Sequence, residues 1–239
     1  MFNIIRADLY RLSHGKVIYS TYALLFAGIA MGALFSEYPA PLVVTTQITL
    51  VIPFILAIIY AVCAPDFNTA AIKNALANGS PRTSLYAARL ILSFLLSELL
   101  YLLGIAVNFA AELISPAPPE MAYVGSSATL LTSIATQSFM ILAMVATGCA
   151  IIFISRRGVV CIAVFLALFF GVSIALSIIS FAGVEWIVSY DFTYTMGRFA
   201  AQFGDLEQAE LIRGLALGAF YLLASTALGV VLFRRSEIK

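Results

Sequence analysis

Long apolar runs alternate with short polar breaks along this chain, and the run lengths set the architecture. Apolar stretches occupy 17–35, about 43–64, 89–114, 129–154, 159–182 and 211–233. Each is near the ~20 residues that carry a helix across a bilayer core. The runs are continuous rather than alternating, which predicts helices and not barrel strands. Before the first run, Phe2, Ile5, Leu9 and Leu12 share one helical face. Arg6 and Asp8 flank that face, and Arg11 and His14 lie opposite it. This predicts an amphipathic helix over 1–16 lying in the membrane interface. A secretory leader is the competing reading of the same start, with an n-region that would be long and already amphipathic.

One polar segment between the runs carries Lys and Arg together with capping residues: DFNTAAIKNALANGSPRTSLYAAR, Asp66–Arg89. The pattern predicts a short helix over 66–78 with Asp66 capping its first turn. Phe67, Ala71, Ile72, Ala75 and Leu76 spread over about half its circumference, and Thr69, Lys73 and Asn74 fall in the other half. Asn78 and Gly79 both tolerate a left-handed cap and end it. Ser80 and Pro81 then open the next helix as N-cap and first helical residue. A polar helix therefore stops, the chain turns, and a membrane helix begins at once. The segment reads as a connecting loop or as a docking element for a soluble partner.

Composition fixes the class. The chain is 62% hydrophobic and 10% charged, with mean hydropathy +1.04, whereas soluble domains are about 25% charged. The expectation is an all-α integral membrane protein forming one transmembrane domain over 1–239. A net charge of +1 gives no case for a nucleic-acid partner. Cys63, Cys149 and Cys161 fall within or at the ends of spans, form no CxxC, and read as small buried hydrophobes. His14 is the one histidine, which argues against a His-paired haem or a His-rich metal site. No P-loop, HExxH or nucleophile–base set occurs, so ATP hydrolysis and catalysis are expected elsewhere.

Charge distribution says more than net charge. With the N-terminus inside, Arg6, Arg11, Lys16, Lys73, Arg82, Arg89, Arg156, Arg157, Arg234, Arg235 and Lys239 are cytoplasmic, eleven of the thirteen Lys and Arg. Only Arg198 and Arg213 fall outside. The positive-inside bias predicts that both termini and the Asp66–Ser84 segment are cytoplasmic. Of the outer connections, 36–42 holds Pro39 and Pro41, and 115–128 holds no basic residue. The longest, 183–210, carries Trp186, Tyr190, Phe192, Tyr194, Phe199 and Phe203, aromatics suited to the membrane boundary. Within it, 196–210 is expected to form a surface helix or a re-entrant pair.

Intramembrane polarity concentrates in the third span. Ser97, Glu98, Tyr101, Asn108 and Glu112 fall within about a third of the helix circumference. A charge at the bilayer centre costs roughly 3 kcal/mol, so Glu98 calls for a hydrogen-bond partner or a proton. The arc reads as an interhelical seam or as the lining of a translocation path. Thr129, Ser133, Thr136 and Gln137 of the fourth span, and Ser173, Ser177 and Ser180 of the fifth, are polar faces that could meet it. Gly28 with Gly32, and Gly214, Gly218, Ser225 and Gly229 of the last span, read as close-packing faces.

These features together resemble the permease subunits of type-two ATP-binding-cassette exporters, especially the small bacterial ones of lantibiotic and peptide-antibiotic export or immunity. The start ADLYRLSHGKVIY resembles the family's amphipathic entry helix. DFNTAAIKNALANGSPRTSLYAARL resembles its segment after the second span: an acidic-aromatic start, IKN, G-S-x-R, then Tyr. The ending FRRSEIK is similar to its tail, and six spans with both ends inside is its layout. Where many relatives have Gly-Thr before IKN, this chain has Ala70-Ala71. The resemblance implies a dimer with a second permease copy or paralogue, two cytoplasmic ATPase subunits docked below, and ATP and Mg held by those partners. It maps Asp66, Phe67, Ile72, Lys73, Asn74 and Arg82 onto the coupling segment. Ser97, Glu98, Tyr101, Asn108, Gln137 and Ser177 are then candidates for the path of a hydrophobic or amphipathic peptide. It also implies residence in a bacterial plasma membrane. The alternative is a membrane-embedded sensor or accessory subunit that binds such a peptide without moving it.

Overall fold

The computed structural model describes residues 2–34, 48–68, 71–77, 79, 81–114, 127–181, 185–201 and 208–235. They are almost entirely helical: α1 (Phe2–Ser13), α2 (Lys16–Leu34), α3 (Ile48–Asn68), α4 (Ala71–Ala77), α5 (Arg82–Ile114), α6 (Ser127–Ser155), α7 (Gly158–Leu166), α8 (Val172–Phe181), α9 (Phe192–Ala201) and α10 (Gln208–Arg235). A π turn, Ala167–Gly171, joins α7 to α8 without interrupting the rod, and a 3-10 turn, Glu185–Tyr190, precedes α9. Among the described residues, four stretches are long and apolar enough to cross a membrane: Arg82–Val107, Leu131–Ser155, Gly158–Ser180 and Gln208–Arg235. The apolar parts Ile18–Gly28 and Val51–Pro65 are shorter. The helices are those of an all-α membrane protein.

Helix α6 is the axis of the bundle. Of its apolar stretch 67% is buried, against 39% for α5 and 11% for α10. Its small residues explain this, because Ala143, Ala146, Gly148, Cys149 and Ala150 let neighbours approach on every side. At Gly148 an added Cβ would stand 2.6 Å from Ile59 of α3 and 3.2 Å from Phe165 of α7. On α10, Gly214, Gly218 and Gly229 are buried as the small-residue face predicts. A Cβ at Gly218 would stand 2.8 Å from Met140 and Phe139 of α6, and Ser225 of the same face meets the Thr147 hydroxyl at 2.9 Å. A Cβ at Gly28 of α2 would meet nothing within 4 Å among the described residues, and the surroundings of Gly32 lie outside them. Cys63, Cys149 and Cys161 are all buried thiols, in keeping with their apolar settings.

Two sequence expectations need correction. Asp66 does not cap a new helix: α3 runs through Pro65 to Asn68, and α4 is a separate helix of seven residues, Ala71–Ala77. Second, α1 turns inward about a quarter turn away from the expected apolar face. Asp8 and Leu12 are buried, Ile4, Ile5 and Arg11 are half-buried, and Leu9 is exposed.

Candidate functional site

Four helix ends meet at one end of the bundle. Phe153 of α6 is their hub, with ring centroids 5.4 Å from Phe67 of α3, 5.1 Å from Tyr86 of α5 and 4.9 Å from Phe233 of α10. All three contacts are edge-on, the geometry that aromatic quadrupoles favour. Arg82 opens α5 and donates from Nη1 to the carbonyls of Phe233 and Arg234, at 3.0 and 3.1 Å, while its guanidinium lies over the Phe233 ring. A cation on the last carbonyls of α10 satisfies orphan acceptors and meets the negative end of the helix dipole. Arg82, expected in a docking segment, therefore ties the start of α5 to the end of α10.

Helix α4 sits beside this cluster on α3. Ile72 is buried, Ala75 and Leu76 are half-buried, and all three pack against the core, as their spacing predicts. Gly79 ends the helix as expected, with φ +80° and its N–H on the Leu76 carbonyl at 3.0 Å. Two residues later the Pro81 carbonyl accepts the Leu85 N–H at 3.1 Å and α5 begins. The structure brings Phe67, Ile72 and Arg82 to one end of the bundle. The side chains of Asp66, Lys73 and Asn74 lie outside the described residues, as do Asn78 and Ser80.

Helix α1 is clasped to this same end. Asp8 and Arg89 of α5 form an ion pair with side chains only 8% and 6% exposed. Arg11 lies 3.7 Å from Asp8 and donates to the Val62 carbonyl of α3 at 3.0 Å. Sequence reasoning missed this pair, since a lone acid on an amphipathic helix reads as a solvated edge.

The polar arc of α5 meets α6 within the chain. Tyr101 donates to Gln137 Oε1 at 2.6 Å, Gln137 Nε2 to Ser133 Oγ at 2.9 Å, and Ser133 to the Phe199 carbonyl of α9 at 2.8 Å. Ser138 donates to Glu98 Oε1 at 2.5 Å. Ser97 is fully buried. Ser138 was not expected, although it follows Gln137 directly. Ser177 stands apart from this seam on α8, where its carbonyl accepts the Ser180 hydroxyl at 2.7 Å. The side chains of Asn108 and Glu112 lie outside the described residues, as does all of 115–126.

At the far end α9 spans Phe192–Ala201, so only 196–201 of the stretch expected as a surface helix or re-entrant pair is in it, 202–207 lie outside the described residues, and 208–210 open α10. Asp191 is its N-cap, accepting the N–H groups of Thr193 and Tyr194 at 3.1 and 3.2 Å and the Ser173 hydroxyl at 2.6 Å. An Asp just before an apolar periodic run is a legible cap signal. Phe192, Met196 and Phe199 are buried at helical spacing, and Thr193 donates to Phe169 in the π turn at 2.7 Å. Arg198 and Glu210 pair at 2.9 Å. Trp186 and Tyr190 are exposed, as membrane-boundary aromatics would be.

No protein-family model, curated protein or solved structure matches the chain.

Proposed function

We propose that this chain is the transmembrane subunit of an ATP-driven exporter of hydrophobic or amphipathic peptides. One observation carries the reading most: a short helix, α4, anchored in the core by the buried Ile72 and followed, through the turn at Gly79, by α5. Such a helix can pass the closure of a soluble ATPase into α5, and through Arg82 into the end of α10. The bundle helices then shift between packings. On this reading α2, α3, α5, α6, α7–α8 and α10 make six crossings. Both chain ends and α4 face the cytoplasm of a bacterial cell, and two ATPase subunits and a second permease copy complete the assembly. ATP and Mg bind to the partners.

The α5–α6 seam favours a second reading. Tyr101, Gln137 and Ser133 close on one another inside the chain, which suits an accessory subunit that senses a peptide without moving it. A structure of the assembly isolated from native membranes separates the two. The exporter reading expects α4 against a nucleotide-hydrolysing subunit. An α4 on the external face, or touching no such subunit, removes it.

A further inference from the structure

We propose that the outward side of the α1–α2 elbow is a binding site for an anionic membrane lipid, with the headgroup on Arg6 and Lys16 and an acyl chain along Tyr19 and Leu24. Asp8 is the only acid on α1 and α2, and it is turned inward onto Arg89. Burying that acid leaves an outward face whose charge is wholly basic. Arg6 lies at its centre, with Leu9 46% and Tyr10 69% exposed on either side. Lys16 opens α2 and is exposed as well.

Beyond Lys16 on α2, Tyr19, Ala23, Leu24 and Ala27 are exposed at helical spacing. Basic residues at the top and apolar residues below match an anionic amphiphile and not a soluble acidic protein. The platform is held in place from beneath. The Asp8–Arg89 pair and the Arg11 bond to Val62 fix α1 on the bundle, and the Tyr19 hydroxyl donates to the Ser13 carbonyl at 2.9 Å. The Tyr10 and His14 rings lie 4.3 Å apart, tilted by 40°, on the exposed side. Tyr10 and Tyr19 then sit where amphipathic rings favour the headgroup level.

The test uses the full chain in lipid bilayers with spin-labelled phosphatidylglycerol and phosphatidylcholine, reading the motionally restricted fraction of each. The wild type is expected to restrict phosphatidylglycerol several-fold more strongly at low salt. Each of R6A and K16A is expected to lower that preference about fivefold, the worth of one basic residue at a charged surface. The control R234A/R235A removes two exposed cations from the same end of the bundle and is expected to leave most of the preference intact. Free inorganic phosphate that displaces the labelled lipid would assign the site to a soluble anion and overturn the proposal. So would equal restriction of both lipids in the wild type, or an equal loss in the control. A preference untouched by R6A and K16A would hand the face to an acidic protein.

Discussion

Asp8 and Arg89 pair inside the protein, joining the first helix to a residue two turns into α5. Two buried charges hold each other there, so the cost of removing one is the cost of stranding the other. Asp8→Ala and Arg89→Met are each expected to destabilise the chain by about 3–5 kcal/mol. The double variant Asp8→Leu/Arg89→Met, with neither charge present, is expected to recover most of that. Thermal unfolding of the detergent-solubilised protein checks this, and additive losses in the double variant would contradict it.

Arg82 is a C-terminal clamp on α10. Arg82→Ala is expected to cost about 1 kcal/mol. Amide hydrogen exchange should rise at Phe233–Arg235 while α9 stays protected. Arg82→Lys keeps the charge but loses the planar guanidinium over the Phe233 ring, so it should recover only part of the protection. Exchange unchanged at the end of α10 would contradict the clamp.

Much of the architecture follows from local pattern. Gly214, Gly218 and Gly229 lie at helical spacing on α10 and are buried against α9, α6 and α5, because a face of small residues has one use between helices. Gly79 ends α4 because its backbone tolerates positive φ. What pattern missed is pairing across the sequence. Asp8 is buried because Arg89 waits for it on another helix, and periodicity within α1 holds no trace of that partner. Arg82 reads in the sequence as part of a docking segment and not as a cap, since the carbonyls it caps belong to the far end of the chain. Ser177 shares a polar spacing with the seam, yet α8 packs its serines locally and against the cap of α9.

The glycine contacts predict a graded series. Gly229→Ala would drive a methyl into the Tyr86 hydroxyl and Gly214→Ala into the Phe199 ring. Each is expected to cost about 1–3 kcal/mol. Tyr86→Phe removes the opposing oxygen and should rescue Gly229→Ala in part, but not Gly214→Ala. Gly28→Ala should be silent, as nothing lies within 4 Å. Melting temperatures of the five variants test the order.

The seam between α5 and α6 should behave as a coupled network. Tyr101→Phe leaves Gln137 Oε1 without its donor, and Gln137→Leu removes both of that side chain's bonds. Each is expected to destabilise by about 1–3 kcal/mol. The double variant should cost less than the sum, with a coupling near 1 kcal/mol. Strict additivity would separate the two residues.

The central claim is that α4 relays work from an ATPase into α5. Its most direct test is ATP hydrolysis and peptide transport by the reconstituted assembly, comparing wild type with Lys73→Glu and Asn74→Asp on α4. The account predicts a bound ATPase whose hydrolysis no longer drives transport in these variants, with the permease still folded and lipid-embedded. Transport unchanged by both substitutions, or an intact assembly that contains no ATPase, would contradict it.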